Sequence, residues 1–207
     1  VDPDRHGKAS AALRRSDQPW RERLMSDKFP WMVAAAPAPR WAAKILDTTP
    51  SRDAQIKLWQ ILKPILRLDQ ENPAAVWKDQ SDTLQRRGKI LDEMELRELR
   101  FTGPGTDLRV GVPELASWVG GASETPDGIT FMPNIPTEEV FTTPDFRRTE
   151  GTVRATRPVT VLGDLVVGAR FTFKEGRVVE ATAERGEQTL RRFLDMDEGS
   201  RYLGEVA

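Results

Sequence analysis

There is no cysteine among the 207 residues, which excludes disulfides, thiolate zinc sites and cysteine nucleophiles. Histidine is nearly absent as well. His6 is the only one, so neither a Ser-His-Asp arrangement nor a multi-histidine metal site can be assembled from these residues. It sits in a polar stretch and is expected to be solvated. No run approaches the roughly 18 apolar residues of a membrane helix, and Val1-Asp2-Pro3-Asp4-Arg5-His6 has neither the basic nor the apolar region of a signal peptide. A cytoplasmic setting without a membrane partner is therefore expected. The net charge of −1 offers no long-range field for polyanions, and no nucleic-acid partner is expected. Position 1 is not methionine, and the chain reads as an internal piece of a longer protein.

What is present is ordinary for a globular protein: 38% hydrophobic and 30% charged residues, enough for one large or two small domains. The first half is helix-prone. Residues 8–27 carry sparse apolar anchors at Leu13, Trp20 and Leu24, while Trp31–Ala36, bounded by Pro30 and Pro37, suits a short buried strand. Trp41–Leu46 reads as one or two helical turns. Ser51 or Thr49 can cap the next helix, where Ile56, Trp59, Leu62 and Leu66 form one stripe and Pro64 should kink or end it. Asn72-Pro73 opens a long amphipathic helix marked by Trp77, Leu84 and Leu91, with Ile90 and Met94 beside them. Trp20, Trp41, Trp59 and Trp77 are expected in the core.

Near residue 96 the period changes from 3.6 to 2. Leu99 and Phe101, then Leu108, Val110 and Val112, flank Gly103-Pro104-Gly105 as a hairpin. Ile129 and Phe131 begin another strand. Val159 and Val161 lead to a turn at Gly163-Asp164, and Leu165 and Val167 follow. Phe171 and Phe173 precede a turn at Glu175-Gly176, after which Val179, Ala181 and Ala183 alternate. Gln188–Met196 reads as a helix burying Leu190, Phe193 and Leu194. The expected fold class is α+β: a helical N-terminal part, the tail of an α/β domain, followed by a bent antiparallel β-sheet with one or two helices.

Chemistry points to Asn134-Ile135-Pro136-Thr137-Glu138-Glu139-Val140-Phe141-Thr142-Thr143-Pro144. The prolines favour extended backbone, in which neighbouring side chains point to opposite faces. One of Glu138 and Glu139 should be solvated and the other turned toward something. A carboxylate on a stiff extended segment suits a metal or acid–base site. By itself the segment reads equally as a solvated glutamate pair on an edge strand.

This segment, with Gly103-Pro104-Gly105-Thr106-Asp107-Leu108 before it and Gly151-Thr152-Val153-Arg154-Ala155-Thr156-Arg157-Pro158 and Tyr202-Leu203-Gly204-Glu205-Val206-Ala207 after it, resembles the aminopeptidase T family of dinuclear metallopeptidases. The likeness runs in order across almost the whole chain. It implies that Glu139 and Glu205 are ligands of two divalent metal ions, zinc, cobalt or similar. It implies peptide substrates with a free N-terminus, cleaved through a metal-activated water, and a homodimer. It divides the chain into 1–96, the helix-rich part of an N-terminal domain, and 97–207, the β-rich first part of the catalytic domain. The family's remaining His and Asp ligands and a nearby Tyr would lie beyond residue 207, so no catalytic residue is assigned within this chain, which is expected to be inactive alone.

Like charges brought within about 4–6 Å raise one pKa unless a cation lies between them, and carboxylates can bridge two ions about 3.5–4 Å apart. Thr137, Asn134 and Thr142 could orient such a carboxylate, though polar turn and strand roles suit them too. Glu138 reads as a surface residue or as one supporting a ligand, and Asp107 as a turn-stabilising one. Gly120-Gly121 lacks the surroundings of a phosphate loop. Arg147, Arg148, Arg154 and Arg157 read as a solvated face balanced by Asp145 and Glu150. The competing reading is a non-catalytic β-rich binding or oligomerisation module.

Overall fold

The computed structural model describes Ala9, Ala12, Leu13 and residues 16–207. His6 and part of the helix expected over 8–27 lie outside the described residues. Helices α1 (Gln18–Met25), α2 (Pro39–Leu46), α3 (Arg52–Ile65) and α4 (Pro73–Glu93) dominate the first half, with strand β1 (Val33–Ala34) after α1. Strands β2 (Glu98–Gly103), β3 (Thr106–Gly111), β4 (Ser123–Glu124), β5 (Thr130–Phe131) and β6 (Asn134–Ile135) follow. Then come β7 (Thr149–Arg154), β8 (Val159–Val161), β9 (Asp164–Val166), β10 (Arg170–Lys174) and β11 (Arg177–Thr182), helix α5 (Glu187–Leu194) and a 3-10 turn at Gly199–Arg201. The α+β class stands: helices first, then an antiparallel five-stranded sheet and a C-terminal helix. The described residues form two compact units, one of Lys89–Trp118 with Phe141–Ala207, the other of the residues from Ala9 to Gly88 with Val119–Val140.

In the helical unit the local signals act as expected at the helix ends. The Ser51 hydroxyl accepts from the Ala54 N–H at 3.1 Å, capping α3. Asn72 Oδ1 accepts from Ala75 N–H at 3.1 Å ahead of Pro73. Helix α3 stops one residue after Pro64. The stripe the sequence suggested holds at its end, where Leu66 is buried and Leu62 packs on the cluster, and fails at its start. Ala54 and Leu58 are buried, packed on Ala42 of α2, whereas Ile56 and Trp59 are exposed. Small side chains at the crossing let two helices approach closely, so alanine marks the contact that large residues were expected to mark. In α4 the buried line is Trp77, Ser81, Leu84 and Gly88, and Ile90 and Met94 are exposed. Of the four tryptophans expected in the core only Trp77 is buried; Trp20, Trp41 and Trp59 are exposed. The strand expected over Trp31–Ala36 shrinks to the exposed pair Val33–Ala34, which runs parallel to β6.

The sheet unit orders its strands β11-β10-β7-β3-β2, every pair antiparallel. Leu108, Val110, Phe173 and Ala181 bury against Val161, Val166, Leu190 and Leu194 as one core. The Glu175-Gly176 turn has both residues at positive φ, 51° and 81°, as a two-residue hairpin requires. The turn between β8 and β9 is Leu162-Gly163, φ 50° and 89°, one residue earlier than expected. That displacement puts Val166 inside and Leu165 outside. A bulge between Thr172 and Phe173 pairs Phe173 with Val178 and Thr172 with Glu180, leaving Val179 as the extra residue. Val178 is consequently buried and Val179 exposed, against the expected alternation, which holds again at the buried Ala181. Phe193 is exposed on α5, while Leu190 and Leu194 are buried.

Candidate metal centre

Glu139 belongs to the helical unit and Glu205 to the sheet unit. Within the helical unit the segment carrying Glu139 is held from several sides. Strand β6 pairs in parallel with β1, and Val33 N–H donates to the Pro133 carbonyl at 2.7 Å. The Ile135–Pro136 peptide is cis. Both glutamates that follow are exposed, but their partners differ. Arg67 Nη2 donates to Glu138 Oε1 and Gln80 Nε2 to Glu138 Oε2, each at 2.8 Å. Glu139 makes no hydrogen bond or ion pair to the described side chains of its own unit. The engaged member of the pair is therefore Glu138, and Glu139 is the solvated one.

The arms that reach Glu138 are themselves fixed. Pro64 ends α3, and Arg67 follows at φ 56°. Its guanidinium lies 4.4 Å from the centre of the Trp77 ring, within cation–π range. Trp77 is buried and donates its indole N–H to the Leu66 carbonyl at 3.0 Å. Gln80 stands one turn further along α4, on the same side as Trp77. On the backbone side, a Cβ placed on Gly120 would lie 2.7 Å from the Glu139 carbonyl oxygen, so this close approach requires glycine. The next residues are tied to α4 by the buried Ser81, whose hydroxyl accepts from Ala122 N–H at 2.8 Å. Gly120-Gly121 is thus a packing element.

In the sheet unit Glu205 directly precedes the buried Val206. Thr142 and Val206 exchange both backbone hydrogen bonds, at 2.9 and 3.0 Å. Further back, Tyr202 bridges Arg177 and stacks edge-on against Phe146, with ring centres 5.3 Å apart. Arg201 binds Asp195 at 2.6 Å and donates to the Val178 carbonyl at 3.1 Å. The backbone is thus fastened on both sides of Glu205, whose exposed carboxylate has no hydrogen-bond partner among the described side chains of its unit.

Several neighbouring candidates have structural tasks. Thr142 is buried and its hydroxyl donates to the Ser117 carbonyl at 2.8 Å, so it serves the strand rather than a ligand. Asp107 faces Arg100 across the hairpin at 3.2 Å, in place of the turn role expected for it. Among the arginines, Arg154 pairs with Glu184 at 3.2 Å, Arg148 donates to the Arg97 carbonyl at 2.9 Å, and Arg147 lies over Phe146. Glu150 does not balance them; it accepts from the Glu175 N–H of the hairpin turn at 2.5 Å.

Among the described residues no group of three or more His, Cys, Asp or Glu side chains is arranged to hold a metal ion. The donor chemistry of Glu139 and Glu205 nevertheless fits one. Carboxylate oxygens are hard donors for divalent cations, and neither of these is committed within its unit. Arg67 and Gln80, which hold both carboxylate oxygens of Glu138, escaped sequence reasoning. They lie 71 and 58 residues from Glu138, and no local pattern links them to it.

Comparison with known proteins agrees in one direction. A family profile described as thermophilic metalloprotease (M29) matches residues 1–207. Aminopeptidase T of Thermus aquaticus is 42% identical over 205 residues, covering 99% of this chain and 50% of the relative. Aminopeptidase 2 of Geobacillus stearothermophilus is 38% identical over 207 residues, covering 100% of this chain and 50% of the relative. The solved structure of wild-type AmpT from Thermus thermophilus superposes with a TM-score of 0.89 at 38% identity, covering 100% of this chain and 50% of that one. The chain spans about half the length of the curated relatives it matches. By sequence along its whole length and by fold, the chain belongs to the thermophilic metalloprotease (M29) family.

Proposed function

We propose that this chain contributes two ligands, Glu139 and Glu205, to the pair of divalent metal ions of an aminopeptidase, with zinc or cobalt as the ions. The observation that carries the reading is a likeness running from end to end to proteins named aminopeptidases, in a chain whose two candidate carboxylates are both unengaged in their own units. When bound, such ions polarise a scissile carbonyl and lower the pKa of water. The chain's own part is to hold two acidic side chains on fixed backbone. Gly120 packs behind Glu139, and the Thr142–Val206 bridge sits beside Glu205. The substrates are peptides with a free N-terminus.

The test uses the complete gene product and a leucyl substrate. A chelator should abolish release of the N-terminal residue, and zinc or cobalt should restore it. Glu139→Gln should lower kcat/KM by more than about 100-fold, beyond the 10–100-fold typical of residues that only support a ligand. Full activity in that variant, or indifference to the chelator, would refute the reading.

A further inference from the structure

Glu138 and Glu139 are chemically identical neighbours, both exposed, and either could ligate a cation. Glu138 is occupied on both oxygens, by Arg67 and by Gln80 at 2.8 Å each. Arg67 also cancels its charge, so within the unit the uncompensated carboxylate of the pair is Glu139. We propose that Arg67, Gln80 and Glu138 are a positioning clamp that assigns the ligand role to Glu139 and holds its backbone for it. The inference rests on the metal-ligand reading of Glu139 given above.

The magnitudes argue against stability as the purpose of these contacts. The Glu138 side chain is 66% exposed and that of Arg67 24%, and ion pairs this open contribute little to folding. Yet the clamp is built on rigid parts: Arg67 lies against the buried Trp77, and Gln80 projects from the same helix. Groups that hold a metal ligand in place characteristically act this way, with small effects on folding and effects of about 10–100-fold on metal affinity. The clamp also limits side-chain freedom at the neighbouring residue, because a fixed Glu138 restricts the backbone that carries Glu139.

The complete chain, metal-free and then titrated with zinc alone against a competing chelator, provides the test. Glu138→Ala and Arg67→Met should each weaken zinc binding about tenfold, and Gln80→Ala should weaken it less. The melting midpoint of the metal-free protein should stay within a few degrees of the parent for Glu138→Ala and Gln80→Ala, as expected for an exposed contact. Because Arg67→Met also removes the contact with Trp77, a fall in its melting midpoint would leave the decision to the other two variants. Combining Glu138→Ala with Gln80→Ala should add little to Glu138→Ala alone, since both remove one contact. Zinc affinity within twofold of the parent in Glu138→Ala would overturn the clamp. Glu139→Gln separates this from failure of the underlying reading. Loss of zinc there with none in Glu138→Ala defeats the clamp alone, and retention of zinc in Glu139→Gln defeats both.

Discussion

The sheet unit and the helical unit bury their apolar residues in different ways. In the sheet unit one continuous cluster joins β3, β8, β9, β10, β11, α5 and Val206. In the helical unit the α2–α3 contact is small, centred on Ala42, Ala54 and Leu58, and the outer faces of those helices carry Trp41, Ile56, Trp59, Ile61 and Ile65 in the open. Each candidate ligand inherits the character of its unit. Glu205 hangs beside a core residue, Val206, and is fixed by what lies beneath it. Glu139 is on an irregular segment with no buried apolar neighbour directly beside it in sequence, where the β1–β6 pairing and the tight approach of Gly120 hold the backbone.

The contrast can be broken first at its strongest point. Phe173→Ala removes a ring from the continuous core and should destabilise the sheet unit by about 3–5 kcal/mol, read as a lower urea midpoint by circular dichroism. A cost below 1 kcal/mol would show that the cluster is not the source of that unit's stability. The helical unit sharpens the comparison on a single helix. Leu58→Ala, at a site 2% exposed, should cost about 2–5 kcal/mol. Ile56→Ala, two residues away and 44% exposed, should stay within about 0.5 kcal/mol. Equal costs would mean that both faces of α3 are buried in the protein as it exists in solution.

The same contrast explains what could be read from the chain beforehand. Turn and cap chemistry is local, so Ser51, Asn72, Pro64 and Glu175-Gly176 announced their roles. The face of a helix or strand is not local. It depends on what lies opposite, and two alanines at a crossing outweighed Ile56 and Trp59. One bulge at Val179 turned that residue outward and Val178 inward, while Ala181 beyond it kept the expected inward side of β11. At the candidate site the acidic pair was visible as a pair. Which member is engaged was not, because Arg67 and Gln80 are distant in sequence and enter through a helix end and a helix face.

The smallest expected effect lies at the start of α5. Glu187 Oε2 accepts from the Ala183 N–H at 3.2 Å, and Oε1 accepts from Arg191 Nε and Nη2 at 3.1 and 2.9 Å. The Ala183 N–H first, and then Arg191, hold its carboxyl below the ordinary value of 4.5. A carboxyl whose pKa is lower folded than unfolded adds stability above the unfolded value, and that stability fades as pH falls through the folded one. The side chain is 39% exposed and its partner Arg191 61%, so solvent screening keeps the contribution small. The urea midpoint of Glu187→Gln should accordingly fall slightly below the parent's at pH 7, and the two should converge on acidification below about 4.5. A difference that persists unchanged at pH 3 would show that the side chain holds the Ala183–α5 junction by its shape, with no part played by its charge.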